Sequence, residues 1–311
     1  MKKIFLALIA AAALSSAQST TSSSVEQDAP DISRLQNECD SNNILACVDL
    51  AVAYHSGNGV KQDYEKVKEL TSKACSWNND WSCATLGALY EYGKGVEQDY
   101  KKAAELYSKA CDLNNSIGCG NLGVLYYSGK GVEQDYKKAI EMLSKACDLK
   151  HGESCHNLGV LYEKGDGSVK QDYQKANQFY SKACDLEIAE GCYNLGASYE
   201  DGSGVKQNYK KAFELYSKAC NLGMAKGCYN MGVLYNLGKG VNQDYKKANE
   251  LYSEACDLGF GDSCYNLGVL YFYGKGVGQD ANTAKKYLNK ACALGSKAGC
   301  DGYRKLNELG F

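Results

Sequence analysis

Residues 119–154 read CGNLGVLYYSGKGVEQDYKKAIEMLSKACDLKHGES and contain two helical patterns separated by glycines. In the first pattern, Cys119, Leu122 and Tyr126 share the spacing of one helix face. A second stripe of small and apolar residues at helical spacing runs from Tyr136 to Cys147. The stretch therefore predicts two antiparallel helices, neither of which can bury its apolar face alone.

This pattern recurs every 36 residues, with one step of 37 where KGDGSVKQDY carries an extra loop residue. A fixed period of this length is typical of stacked helix-pair repeats. We predict an all-α fold, a right-handed α-solenoid at residues 31–311. It has seven full units at about 47–299 and cap helices near 31–42 and 297–309.

Glycine and acidic residues mark where the helices are predicted to end and begin. Gly129 and Gly131 recur in the other units, and glycine accepts the left-handed conformation that a helix exit requires. Asp135 is placed to cap the second helix of its unit. The residues in the same register are Asp63, Asp99, Asp172, Asn208, Asp244 and Asp280.

The N-terminus has the features of a cleavable export signal. Lys2 and Lys3 precede an apolar run from Ile4 to Leu14, and small residues follow it up to Ala17. We predict a signal peptide at 1–17, cut after Ala17, a flexible leader at 18–30 and a secreted or periplasmic protein. The apolar run is too short to span a bilayer, and no later run approaches that length.

The charge balance excludes two classes of partner. A formal net charge of −2 is too balanced for a protein that binds nucleic acid or an anionic membrane surface. We expect a monomer without a cofactor.

The segment KACDLKHGESCH at 145–156 could form a metal site, a nucleophile with its base, or a disulfide. In every unit the first cysteine of such a C-x7-C pair ends one helix and the second begins the next, so that a short bend brings them together. Zinc sites prefer closer pairs, and a catalytic Cys-His pair needs a free thiolate. We therefore predict eight disulfides, no metal site, and surface positions for His55, His151 and His156. The predicted pairs are Cys39–Cys47, Cys75–Cys83, Cys111–Cys119, Cys147–Cys155, Cys184–Cys192, Cys220–Cys228, Cys256–Cys264 and Cys292–Cys300.

The stretch YNMGVLYNLGKGVNQDYKKANELYSEAC at 229–256 resembles the Sel1-like repeat, a relative of the tetratricopeptide repeat. With the C-x7-C pairs and the export signal, the chain is similar to the Helicobacter cysteine-rich protein family of secreted proteins. The resemblance implies protein or peptide binding at a host interface. It also implies penicillin binding with weak β-lactamase activity, and hence a β-lactam ligand.

The motifs of a serine β-lactamase are not present in this sequence. It has no Ser-Asp-Asn and no Lys-Thr-Gly, and its one Ser-x-x-Lys, Ser203 to Lys206, falls in a predicted loop. The repeated Gly-Lys-Gly-Val follows a helix and lacks the hydroxyl residue of a phosphate-binding loop. We therefore predict no catalytic residue, and whether the chain is an enzyme stays open.

A solenoid of this class binds partners on its concave face, which the first helix of each unit is expected to line. Projection of that helix places two columns of residues opposite its core face. The asparagine column is Asn121, Asn157, Asn194, Asn230 and Asn266, and the aromatic set is Tyr193, Tyr229 and Tyr265 with Phe272 and Tyr273. Asparagine amides suit the backbone of an extended peptide, and tyrosines make good anchors. The alternative is an internal ladder of asparagines between neighbouring first helices.

Overall fold

A computed structural model describes residues 30–165, 167 and 169–310 of the chain. The predicted signal peptide and nearly all of the predicted leader lie outside the described residues. In the described part of the chain there are sixteen helices and no strand. They are α1 Ile32–Asp40, α2 Ile44–Ser56, α3 Tyr64–Ser76, α4 Asp80–Tyr92, α5 Tyr100–Asp112, α6 Ser116–Ser128, α7 Tyr136–Asp148, α8 Gly152–Lys164, α9 Tyr173–Asp185, α10 Ala189–Asp201, α11 Tyr209–Asn221, α12 Ala225–Leu237, α13 Tyr245–Asp257, α14 Gly261–Tyr273, α15 Ala281–Ala293 and α16 Lys297–Glu308.

The helices follow the predicted solenoid order. The even-numbered helices α2 to α14 are the first helices of the seven units, the odd-numbered helices α3 to α15 are the second helices, and α1 and α16 are the caps. The chain divides into two compact units, one up to Ser154 and one from Cys155. Within each, a helix packs on the one before and the one after it. The predicted all-α repeat fold is confirmed.

The predicted helix starts are confirmed by hydrogen bonds. The side chain of Asp135 accepts a hydrogen bond from the backbone N–H of Lys138 at 3.0 Å, and so caps α7. The equivalent residue caps each of the other second helices in the same way. These caps satisfy backbone groups that the helix itself leaves without partners.

The loop between the two helices of a unit packs on the unit before it. Gly131 has a φ of +70°, and a Cβ there would lie 2.2 Å from the backbone carbon of Tyr100 at the start of α5. Lys130, one residue earlier, places its Nζ 5.0 Å from the centre of the Tyr100 ring. The repeated Gly-Lys-Gly is therefore a contact between neighbouring units, because only glycine fits so close to that backbone.

A lysine in the last turn of several second helices stabilises the C-terminal end of the helix two places earlier in the chain. In the N-terminal half three of these ammonium groups donate to cysteine carbonyls at 2.7 Å, where the positive charge favours the helix C-terminus. The pairs are Lys73 with Cys39, Lys109 with Cys75 and Lys145 with Cys111. In α13 the equivalent residue is Glu254, whose Oε1 lies 3.7 Å from the Sγ of Cys220.

None of the helices in the described residues is long and apolar enough to cross a membrane.

Candidate functional site: the exposed face of the first helices

The cysteines form the predicted disulfides. Seven bonds join cysteines whose Cα atoms lie 4.4 to 4.8 Å apart, each linking one helix to the next. Cys147 and Cys155 are disulfide-bonded as well, and the described residues include no free cysteine. Cys220 and Cys228 lie near Glu254, but their sulfurs are already bonded to each other and cannot serve as thiolate ligands. Such a set of disulfides indicates an oxidising, extracytoplasmic compartment.

His151 was predicted at the surface, and that prediction is wrong. Its side chain is only 8% exposed, and its Nδ1 lies 2.8 Å from the Oγ of Ser154 at the start of α8. Burial lowers the pKa of His151, although Glu153 nearby opposes the shift. Both buried side chains crowd against Gly120, where a Cβ would lie 2.7 Å from the Ser154 Oγ. Because Ser154 is also buried, this His-Ser pair serves packing and leaves no path for a substrate.

The asparagine column does not lie on an open face. Asn121 is 5% exposed, and the other four asparagines are half-buried, so the predicted outward orientation is wrong for Asn121. In the C-terminal half the asparagines bridge neighbouring first helices, because Asn266 Nδ2 donates to the Tyr229 hydroxyl at 3.4 Å. Asn194 Nδ2 lies 3.1 Å from Nε2 of His156 in the same way. This arrangement is the internal ladder that the sequence left open as an alternative.

Four of the five asparagines also contact a tyrosine of a second helix, and they are Asn121, Asn194, Asn230 and Asn266. Asn230 hydrogen-bonds both the Tyr193 hydroxyl in α10 and the Tyr216 hydroxyl in α11. Tyr216 in turn donates to Glu200 Oε2 at 2.7 Å. The result is a chain of hydrogen bonds from asparagine to tyrosine to glutamate. Asn121, Tyr107 and Glu91 form the equivalent chain in the N-terminal half, and there burial raises the pKa of both Tyr107 and Glu91.

The space for these tyrosines is provided by the glycine of the Leu-Gly pair. A Cβ at Gly196 would lie 2.9 Å from the Tyr216 ring, and one at Gly87 would lie 2.8 Å from Tyr107. The side chains of Tyr107 and Tyr216 are almost fully buried as a result. The glycine is therefore required for close packing between the two helices of one unit.

All three predicted anchor tyrosines are half-buried and pack against core residues. The Tyr229 ring lies 5.7 Å from the Tyr252 ring and 5.0 Å from the Phe260 ring. The Tyr193 ring lies 5.6 Å from that of Tyr216. Both are half-buried, and burial raises the pKa of each hydroxyl. Their contacts are those of structural residues.

Tyr265 differs from them because the ladder ends beside it. Its helix α14 packs against the cap α16, where Gly302 occupies the register of the asparagines. Glycine has no side chain to offer, and among the described residues nothing hydrogen-bonds the Tyr265 hydroxyl. The ladder of asparagine contacts therefore ends at Tyr265. We call the Tyr265 hydroxyl, which no residue of the described part of the chain hydrogen-bonds, the open rung of the ladder.

Exposed apolar residues lie at the C-terminal ends of two neighbouring first helices, α12 and α14. Tyr273 is 63% exposed and Leu237 is 51% exposed, and they hold equivalent positions in these two units. The Phe272 ring lies 5.1 Å from that of Tyr273, with the two rings edge to face. We call Leu237, Phe272 and Tyr273 the terminal patch. Sequence reasoning identified Phe272 and Tyr273 and missed Leu237, although its position 36 residues before Tyr273 could have revealed it.

The Ser-x-x-Lys motif lies in a loop, as predicted. Ser203 follows the C-terminus of α10, and its carbonyl oxygen accepts a hydrogen bond from Asn177 Nδ2 at 2.7 Å. Lys206 is exposed further along the same loop. The motif therefore lacks the helix that carries it in serine β-lactamases.

Comparison with known protein families matches the Sel1 repeat to seven segments. They are residues 44–76, 82–115, 116–151, 152–187, 189–224, 225–260 and 261–296. No functionally curated protein matches the chain.

Among solved structures, a protective antigen of uropathogenic Escherichia coli superposes with a TM-score of 0.81 at 27% identity, over 87% of this chain. The chain spans only 58% of that antigen. A Sel1 repeat protein from Oxalobacter formigenes gives a TM-score of 0.71 at 26% identity, over 88% of this chain and 79% of that one. Helicobacter pylori cysteine rich protein B is 41% identical over 43% of this chain and 97% of its own, with a TM-score of 0.36.

None of these matches supports the β-lactamase or penicillin-binding activity implied by the resemblance. The repeats matched to the family profile cover most of the chain, and the helices and disulfides follow their period. The chain belongs to the Sel1 repeat family.

Proposed function

We propose that this chain is an exported, disulfide-stapled scaffold that binds a protein or an extended peptide through the terminal patch and Tyr265. The observation that carries the proposal is the exposure of Tyr273 and Leu237 in adjacent first helices. Large exposed aromatic and aliphatic side chains grouped on one face are typical of protein-binding sites.

Comparison of equivalent positions supports this choice of surface. In the N-terminal half the position of Leu237 and Tyr273 is occupied by Ser56, Tyr92 and Ser128. Of these only Tyr92 is large, and it is half-buried, with burial raising its pKa to about 12. Large apolar residues are therefore exposed at this register in the last two units, where the fold does not require them.

The open rung of the ladder supplies a polar contact on the helix that carries Tyr273, eight residues earlier at Tyr265. Elsewhere in the C-terminal half an asparagine amide of the next first helix satisfies the tyrosine hydroxyl. A backbone N–H of a bound peptide can take the place of that amide at Tyr265. Aromatic anchors with one oriented polar group give a site both affinity and register.

The eight disulfides support export, and the similar antigen supports contact with a host. That protein is described as a protective antigen, and we propose the same kind of exposure for this chain, in the periplasm or outside the cell. We also propose a monomer, because the outward residues of both cap helices are mostly polar or charged. Polar caps prevent end-to-end stacking of such arrays.

The proposal is tested by capture of protein partners from the envelope and from host-cell surface extracts on immobilised, fully oxidised protein. The test variant is Leu237→Ser with Tyr273→Ser. Its matched control is Leu45→Ser with Leu309→Ser, which removes two residues that are 69% and 59% exposed outside the patch. We expect a captured partner whose yield falls at least tenfold with the patch variant and not with the control. Equal yields from all three proteins would refute the site.

A further inference from the structure

The turn between α5 and α6 carries the triplet Asn114-Asn115-Ser116. It is the one place in the 311-residue chain where asparagine is followed, two positions later, by serine or threonine. In exported proteins this triplet is the acceptor of N-linked glycosylation, and it lies in surface loops. We propose that Asn114 carries an N-linked oligosaccharide. The inference rests on the extracytoplasmic location proposed above.

The geometry of the turn presents Asn114 outward. Asn114 is exposed and has a φ of +64°, a left-handed conformation that asparagine tolerates well. Among the described residues nothing hydrogen-bonds its side-chain amide. Its backbone N–H, in contrast, donates to the carbonyl of Cys111 at 2.9 Å, so that the fold uses the main chain of Asn114 and leaves the side chain free.

The neighbouring asparagine has the opposite role, which makes the assignment specific. Asn115 is buried, its Nδ2 donates to Asp80 Oδ2 at 3.0 Å, and its Oδ1 accepts from the Gly118 N–H at 2.8 Å. Asn115 is therefore the cap of α6, and the residue two positions after it is Ile117, which has no hydroxyl group. Of the two adjacent asparagines, only Asn114 is both accessible and in the acceptor position.

The finished fold has room for a sugar at this position. The equivalent turns of the units before and after present Asn78 and Lys150, both exposed and both in the same left-handed conformation. No large apolar side chain is left exposed at these three turn positions. The turn also lies at the opposite end of α6 from its loop, about 20 Å away for a 13-residue helix. A glycan there does not block the packing of the loops on neighbouring units.

The transfer joins the Asn114 Nδ2 to the anomeric carbon of a sugar that is donated by a lipid-pyrophosphate-linked oligosaccharide. The bond from that carbon to the pyrophosphate oxygen breaks, and the pyrophosphate leaves with the electron pair. The amide nitrogen gives up one proton to a base of the transferase. Ser116 supplies the hydroxyl by which the enzyme recognises the triplet, and nothing is oxidised or reduced.

The chain itself contains a matched control for this site. Asn78 occupies the equivalent turn, with a φ of +61°, and is also followed by a capping asparagine, Asn79. The residue two positions after Asn78 is Asp80, which offers no hydroxyl donor. Fold position and exposure are therefore the same at Asn78 and Asn114, and the recognition residue differs.

Intact-protein mass spectrometry on protein isolated from the cells that produce it tests the proposal. We expect the mass of an oligosaccharide above that of the polypeptide, complete loss of it in Asn114→Gln and Ser116→Ala, and retention in Asn78→Gln. Ser116→Ala keeps Asn114 and its backbone geometry, so that its loss of mass cannot come from a disrupted turn.

Thiol labelling without reduction, on the same samples, separates the two hypotheses. A plain polypeptide mass on protein whose cysteines all resist labelling overturns the glycosylation and leaves export intact. Labelled cysteines on protein recovered from the cytoplasm overturn export, and the glycosylation with it.

Discussion

Replacement of Tyr229 and of Tyr273 by alanine should have opposite consequences, although both tyrosines belong to the predicted binding face. Tyr229 packs against two aromatic rings and accepts a hydrogen bond from Asn266. Tyr273 is 63% exposed, and its ring lies against Phe272. The structure therefore assigns Tyr229 to stability and Tyr273 to binding.

The magnitudes follow from these contacts. A buried aromatic residue replaced by alanine costs about 3–5 kcal/mol, and a half-buried one roughly half of that. The two aromatic contacts and the hydrogen bond of Tyr229 each add about 0.5–1.5 kcal/mol, partly overlapping with burial. We expect Tyr229→Ala to lower the free energy of unfolding by about 3 kcal/mol, and Tyr273→Ala by less than about 1 kcal/mol.

Thermal unfolding of the oxidised variants, followed by far-UV circular dichroism, measures the difference. At about 2–4 °C per kcal/mol for a chain of this size, Tyr229→Ala should lower Tm by about 6–12 °C and Tyr273→Ala by no more than about 4 °C. Tyr229→Phe is the control, because it keeps the rings and loses only the bond to Asn266. A Tyr229→Ala protein that unfolds at the wild-type temperature would show that the ladder does not stabilise the stack.

Four further substitutions test the electrostatics of the fold. Glu254→Lys should raise the free energy of unfolding by about 1 kcal/mol, because a lysine there can donate to the Cys220 carbonyl and its charge suits the helix C-terminus. Lys109→Glu should lower the free energy of unfolding by a similar amount. Chemical denaturation of both variants in low and high salt measures the two changes. His151→Asn should reduce the stability that the protein loses as the pH falls below about 6.5. Burial lowers the pKa of His151 in the folded chain, so that the unfolded chain binds the proton more tightly. Equal loss of stability in acid for the wild type and the variant would contradict this. Glu91→Gln should stabilise the protein at neutral pH and not in acid. Burial raises the pKa of Glu91, so that the wild-type folded state loses stability as the pH rises through that pKa. Urea denaturation of both proteins, from acid to neutral pH, measures the effect.

The fold could be predicted because its determinants are local and repeated. Asp135 caps α7 by accepting a hydrogen bond from the N–H of Lys138, three residues later. Cys111 lies eight residues before its disulfide partner, Cys119. Interactions over such short separations depend on spacing alone, and seven copies of the spacing remove ambiguity. The helix exits, the second-helix starts and the disulfides therefore followed directly from the sequence.

The candidate site was only partly predictable, because a helical projection considers one helix and its own partner. In the stack a first helix also contacts the first helices of neighbouring units, as α14 contacts α16. Residues opposite the core face of one helix, such as Asn121, become buried or half-buried against those neighbours. Tyr273 escaped this error because it is the last residue of α14, where its side chain stays largely exposed.

His151 was misjudged for a related reason. The register that holds Asn79 and Asn115 at the starts of α4 and α6 holds His151 before α8, and a larger side chain at this position should be pushed outward. The position facing it is occupied by Gly120, which admits the imidazole. Pairs of large and small residues that are 31 positions apart cannot be recognised from the period, since the period describes what the units share and this pair is particular to one unit.

The ladder also explains why binding should be found at the end of the array. In the C-terminal half, α12 is used on both sides: Tyr229 of α12 is held by Asn266 of α14, and Asn230 of α12 holds Tyr193 of α10. A residue that contacts both neighbouring helices cannot be substituted, to bind a different partner, without a loss of stability. The side of α14 towards the cap meets Gly302, so that no asparagine holds the Tyr265 hydroxyl, although the Tyr265 side chain packs against the cluster that contains Leu288 and Leu306. Tyr273 beside Phe272 is exposed. Recognition can therefore vary at Tyr273 without loss of the stack, and variants of Tyr273 should change the partner more than the stability.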